Sequence, residues 1–174
     1  MSRAAITPTG IECRFGDEEL IVTKSDLKGR ITHANDVFLR VSKYSRDEVI
    51  GAPHNLIRHP DMPRCVFKLL WDTIQAKKEV FACLLNMASD GDHYWVLAHV
   101  TPIVDAELAI VGYHSNRRKP TPAQIERAKE FYAKLRAEES RSDSPKDGMQ
   151  LGYELLMSML DDKGLNYDEF VFAI

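Results

Sequence analysis

Apolar residues along this chain follow two periods, and the order in which the periods change predicts the fold. E-L-I-V-T-K-S at 19–25 is a short β-rich run. L-K-G is a turn signal, and R-I-T-H-A-N at 30–35 is a second strand, so the two read as a hairpin. The period then lengthens. Asn35 suits a helix N-cap, with apolar Val37, Phe38 and Val41 behind it. Ser45 with Glu48 three residues on is a capping-box pattern, and Gly51 and Pro53 end that short helix. Three further strands follow a third helix: E-V-F-A-C-L-L-N-M-A, H-Y-W-V-L-A-H-V-T-P-I and A-I-V-G-Y-H-S-N-R. Short turns at S-D-G-D and V-D-A-E-L join them into an antiparallel meander. Tyr94 and Trp95 point to opposite faces of this sheet, and the pattern expects one core aromatic and one surface aromatic. Two strands, short helices and three more strands make an α+β order.

Beyond the sheet the helical period returns. Thr121 as N-cap, Pro122 at the first helical position and Gln124 predict a helix with Ile125, Ala128, Phe131, Tyr132 and Leu135 on one stripe. A charged, serine-rich stretch then reads as a linker. A second amphipathic helix is expected from about Met149 to Leu160, with Gly164 as its C-cap, before the apolar ending Y-D-E-F-V-F-A-I. The expected division is a flexible or loosely docked lead-in (1–18), an α+β unit (19–120), a flanking helix (121–138), a linker (139–148) and a final helix with its tail (149–174).

The central stretch, N-L-I-R-H-P-D-M-P-R-C-V-F-K-L-L-W at 55–71, carries the candidate chemistry. Arg58, His59 and Asp61 fall within four residues, and an apolar helical run follows. Asp61 is the expected N-cap and Pro63 the expected first-turn residue. Such a loop ends at the positive pole of a helix, where an anionic or polar ligand would meet free N–H groups. The competing reading is a surface loop with a solvated Arg–Asp pair.

Composition narrows the function classes. A chain of 174 residues with 44% hydrophobic and 28% charged content has room for one packed domain with an extension. A net charge of −3 lacks the clustered basic excess of a nucleic-acid binder. The sequence has no apolar run of membrane-spanning length and no secretory h-region near the N-terminus, so a cytoplasmic protein with no direct membrane insertion is expected. Cys13, Cys65 and Cys83 are isolated and read as reduced thiols. D-D-K-G-L-N-Y-D-E-F fails as a calcium loop, because Lys163 falls at its fifth position and Glu169 arrives one residue early. The six histidines show no zinc spacing, although one as an axial haem ligand stays open. No phosphate loop, nucleophile elbow or other catalytic set is present, and the expectation is a protein that is not an enzyme.

I-T-H-A-N-D-V-F at 31–38, S-K-Y-S at 42–45, P-H-N-L-I-R-H-P-D-M-P at 53–63 and G-D-H-Y-W at 91–95 resemble, in order and spacing, the PAS domain of the aerotaxis receptor (Aer) family. The resemblance covers roughly Leu20 to Leu135. It implies a PAS fold, a five-stranded antiparallel sheet with short helices on one face, here followed by C-terminal amphipathic helices. It also implies non-covalent FAD and redox or oxygen signalling in energy taxis, through protein contacts to a chemotaxis receptor, with a homodimer expected. By motif, Asn35, Arg58, His59, Asp61, Trp71 and Asn86 would lie at the cofactor, with Arg58 and the helix N-terminus on its pyrophosphate. Where the family usually carries G-x-P-W-x-G, this chain has K-K-E-V-F-A, so the tryptophan's position falls on Val80 or Phe81, of which Phe81 could still stack. An end at Ile174 resembles the short PAS-only partners of bipartite energy-taxis systems; a fragment of a longer receptor is the alternative. The rival readings are a haem-binding PAS oxygen sensor, a cofactor-free dimerisation or docking module, and a flavoenzyme.

Overall fold

The computed structural model describes residues 6–173. The first five residues of the expected lead-in, and Ile174 at the end of the expected tail, lie outside the described residues. Five strands form one antiparallel sheet: β1 (Ile21–Ser25), β2 (Ile31–Ala34), β3 (Val80–Met87), β4 (His93–Val104) and β5 (Ile110–Arg118), in the order β2-β1-β5-β4-β3. Between β2 and β3 lie α1 (Asp36–Ser42), α2 (Arg46–Val49), a 3-10 turn at His54–Ile57 and α3 (Arg64–Gln75). After the sheet come α4 (Pro122–Glu139), α5 (Pro145–Lys163) and α6 (Tyr167–Ala173). No helix among the described residues is long and apolar enough to cross a membrane.

Capping sets the small helices, and the predicted caps form. Asn35 Oδ1 accepts the Phe38 N–H of α1 and the Val22 N–H of β1, each at 3.0 Å, while its amide donates to the Leu20 carbonyl at 2.8 Å. One side chain therefore starts α1 and ties it to the first strand. Ser45 and Glu48 close the capping box of α2.

Strand register decides what faces the first three helices. Leu84 stands opposite Val96, and Asn86 opposite Tyr94. Val100 is opposite Ser115, and Ser115 opposite Thr23. The row Ala98–Arg117–Ile21 completes the same face. The opposite face carries Phe81, Cys83, Leu85, Trp95 and Leu97. Trp95 is not a surface aromatic: it is buried, stacked at 6.4 Å on Tyr132 of α4. The C-terminal helices cover this half of the sheet, and so both Tyr94 and Trp95 are core residues.

The same helices close the edge of β3, whose outward backbone groups would otherwise be an aggregation-prone template. The Phe81 N–H donates to Asp168 at 2.9 Å, and the Cys83 carbonyl accepts the Tyr132 hydroxyl at 2.5 Å. The Leu85 N–H meets the Met62 sulfur at 3.3 Å. The expected linker is thus mostly ordered. Ser144 caps α5 and Pro145 sits in its first turn, so the helix expected from Met149 starts four residues earlier. Gly164 ends it in the left-handed conformation, and the tail is a helix, with buried Tyr167, Phe170 and Val171. The described part of the lead-in is also docked. The Thr9 N–H bonds to the Gly91 carbonyl, Ile11 and Cys13 bond to His93, and Phe15 is buried.

Candidate functional site

A cavity of about 340 Å³ lies between α3, the loop before it and the helix-covered face of the sheet. Its apolar walls are Ile57, Leu70 and Ile74 on one side and Leu84 and Val100 on the other. At the mouth Trp71 meets Tyr113 edge-on, with ring centroids 5.4 Å apart. Gly29, at φ +74°, lets Trp71 lie there, because a Cβ would stand 2.9 Å from the indole.

The inner end of the cavity is polar. Arg117, only 2% exposed, donates through Nη2 to Thr23 Oγ1 at 2.8 Å and to His54 Nε2 at 2.6 Å. Thr23 Oγ1 and His54 Nε2 are themselves 3.0 Å apart. Accepting from a guanidinium assigns the lone pair to Nε2. Burial of the ring, reinforced by the Arg117 charge, pushes the His54 pKa down to about 3, and the imidazole is neutral. Burial lowers the Arg117 pKa to about 10, which leaves it charged at neutral pH. Among the described residues no carboxylate pairs with it; the Phe38 ring lies 5.9 Å away and the buried Tyr94 is close enough to act on its charge.

Three buried polar atoms of cavity-lining residues have no protein partner: Arg117 Nη1, Asn86 Nδ2 and Ser115 Oγ. Each such atom costs about 1–3 kcal/mol if left bare, so a group that satisfies them stabilises the fold. A charged donor, an amide and a hydroxyl around an apolar slot could meet a flat ligand with a polar, electron-rich edge.

Six residues were expected at this site, and the structure brings three of them together. Arg58, Trp71 and Asn86 line the cavity, with Arg58 stacked over Phe67 at 4.4 Å. Asn35 is absorbed in capping α1, as described above. His59 is buried below the loop, where its Nδ1 accepts the Asp61 N–H at 3.0 Å and its ring meets His93 edge-on at 6.4 Å. Asp61 is exposed and pairs with Arg136 of α4 at 2.7 Å. It does not cap α3: Pro63 holds the cap position, and the N–H groups of Arg64 and Cys65 go to the Glu139 carboxylate at 3.1 and 2.8 Å. The pole expected to receive a pyrophosphate is therefore already occupied. Phe81 lies on the far face, stacked on His99 at 4.1 Å, and cannot stand in for a tryptophan at the cavity. Thr23, His54, Ser115 and Arg117 were missed. His54 sat inside the quoted motif, while the others become visible only through strand register.

The family model described as a PAS domain matches residues 18–115, which is more than half of the chain. This chain belongs to the PAS domain family. The PAS chain is 40% identical over 123 residues to the aerotaxis receptor of Escherichia coli K12, covering 71% of this chain and 24% of the receptor. It is 31% identical over 75 residues to phototropin-1A of Oryza sativa subsp. japonica, covering 43% of this chain and 8% of that protein. Among solved structures it is similar to the dark structure of the blue-light photoreceptor Aureochrome1 LOV. That match has a TM-score of 0.56 and 26% identity, over 62% of this chain and 80% of that one. The PAS chain thus spans about a quarter of the length of the aerotaxis receptor it matches. The five-stranded α+β architecture is that of the family, and the α4–α6 unit lies beyond the matched segment.

Proposed function

We propose that this PAS domain is a cytoplasmic redox or oxygen sensor that binds FAD non-covalently and signals by protein contact to a chemotaxis receptor. The observation that carries the reading is the buried, carboxylate-free Arg117 beside unpartnered Asn86 Nδ2 and Ser115 Oγ. These are the groups that an isoalloxazine edge, with its carbonyls and ring nitrogens, would satisfy. The similarity to an aerotaxis receptor and to a photoreceptor LOV structure supports a sensory role.

Arg117, Asn86 and Ser115 would hold the polar edge of the ring, and Leu70, Ile74, Leu84 and Val100 would sandwich it. Trp71 and Tyr113 would exclude water at the mouth. The rest of the cofactor would leave past Lys28 and Arg58, both at the cavity wall, and not along the start of α3. When bound, the flavin supplies the electron-accepting chemistry. The protein's part is electrostatic: a buried guanidinium favours the more negative state of whatever faces it, so a change in ligand charge changes the pull on Arg117, Thr23 and His54. A sensor rather than an enzyme, the receptor contact and a homodimer all belong to the same proposal.

Of the histidines lining the cavity, haem would have to use His114 as its axial ligand, because the His54 Nε2 lone pair is taken by Arg117. A cofactor-free module would leave three buried polar atoms bare. The test is the absorption spectrum of the freshly purified protein, before and after dithionite. The expected result is a two-banded flavin spectrum that bleaches on reduction and disappears in Arg117→Met. A Soret band, or a protein-only spectrum unchanged by added FAD, overturns the reading.

A further inference from the structure

The helix that walls the cavity does not cap itself. Pro63 at the N-cap of α3 offers no side-chain acceptor, and the acceptor comes from Glu139, about 75 residues away at the end of α4. One turn earlier on α4, Arg136 pairs with Asp61 of the loop that leads into α3. The first turns of α5 are fitted around the same residue. A Cβ on Gly148 would stand 2.2 Å from the Glu139 carbonyl oxygen, and one on Gly152 would stand 2.6 Å from Glu139 Cγ. The start of α3, the end of α4 and the first two turns of α5 therefore meet closely at Glu139, through its backbone and its side chain. The other face of α3 presents Phe67, Leu70, Trp71 and Ile74 to the cavity. Arg58, stacked on Phe67, lies against both the cavity and the groove in which Glu139 and Arg136 sit.

We infer that Glu139 is a latch through which the occupant of the cavity controls the docking of the α4–α5 hairpin. A shift of the first turn of α3 lengthens two charge-assisted hydrogen bonds together, and the tight glycine contacts leave no way to follow it by small adjustment. The joint then has two states, closed and released, and a ligand that fixes the cavity wall favours the closed one. The inference rests on the proposed flavin reading for the identity of the ligand, and on this chain's own contacts for the latch.

The test is amide hydrogen exchange on the full chain, with and without saturating FAD, in the unsubstituted protein and in Glu139→Ala, Glu139→Gln and Arg127→Ala. Arg127, on α4 but bonded to the Ala173 carbonyl, serves as the control. FAD is expected to slow exchange in α5 at least about fivefold, the low end of a typical coupling. Glu139→Ala should raise exchange in α3 and α5 together without FAD and abolish the FAD effect on α5. Glu139→Gln, which keeps an acceptor, should restore much of it, and Arg127→Ala should leave it intact. By reciprocity Glu139→Ala should weaken FAD by the same factor. Loss of protection in the first turn of α3 alone means a simple cap and overturns the latch. So does an FAD effect on α5 that survives Glu139→Ala. If the protein takes up no FAD by absorbance, the flavin reading fails, and the joint response of α3 and α5 in ligand-free Glu139→Ala still decides the latch.

Discussion

The two faces of the sheet use polar groups in opposite ways. Against α4 and α6, the buried side-chain hydroxyls and the Asp168 carboxylate of the described residues have partners. The Tyr132 hydroxyl serves the Cys83 carbonyl and lies 3.2 Å from the Tyr167 hydroxyl, and Asp168 serves the Phe81 N–H. Against α3, Arg117, Asn86 and Ser115 each keep a buried atom without a protein partner. The first face is finished by the chain itself. The second keeps two donors and a hydroxyl at the cavity, the groups on which the proposed flavin binding depends.

Substitutions can break this contrast. The largest effect is expected at Arg117. Arg117→Met should weaken FAD at least about a hundredfold, roughly 3 kcal/mol, while leaving the ligand-free fold as stable or more stable, because an unpaired buried charge is removed. Cofactor titration and urea unfolding followed by circular dichroism give the two numbers.

The next effect is a pH dependence. His54 has a folded pKa near 3 against 6.5 in its ordinary state. Below pH 6.5 the unfolded chain takes up a proton that the folded ring refuses, so the neutral ring's contribution is complete above pH 6.5 and is lost as pH falls towards 3. Between pH 7 and 5 this amounts to up to about 2 kcal/mol. Burial lowers His59 and His114 as well, with the same sign. His54→Gln, which keeps an acceptor for Arg117, should flatten the fall in unfolding free energy between those two pH values. An unchanged slope would place the proton uptake elsewhere.

On the finished face, Tyr132→Phe should cost about 1–2 kcal/mol by stranding the Cys83 carbonyl, with cofactor affinity unchanged. The smallest effect is Ser115→Ala. Ligand-free stability should move by less than about 0.5 kcal/mol, since the hydroxyl has no partner to lose, while FAD binding weakens a few-fold. A Ser115→Ala protein that is clearly destabilised without ligand would contradict the contrast between the faces.

Local rules were legible in the sequence and long-range ones were not. The caps at Asn35, Ser45, Thr121 and Gly164 are contained in three- or four-residue patterns, and all form as expected. The strands followed from alternation and turn chemistry. The start of α3 was misread because a nearby acidic residue, Asp61, is the ordinary cap, and the actual one comes from another helix. Arg117 was missed because an arginine in S-N-R-R reads as the solvent end of a strand. Only pairing with Ile21 of β1 carries it inside. The P-H-N-L-I-R-H-P-D-M-P motif lies beside the cavity, and it mixes residues that line the cavity with residues that hold the loop in shape.

The chain's two tryptophans fall one on each side of this contrast. Trp71 stands at the cavity mouth, and Trp95 is stacked beneath α4. Each is therefore a built-in optical probe of a different event. In Trp95→Phe the remaining emission reports filling of the cavity, with an absorbing ligand quenching Trp71 at close range. In Trp71→Phe it reports the solvent exposure of the far face as the C-terminal helices detach. Recorded in parallel, the two emission signals time arrival of the ligand against movement of the helices without any added label.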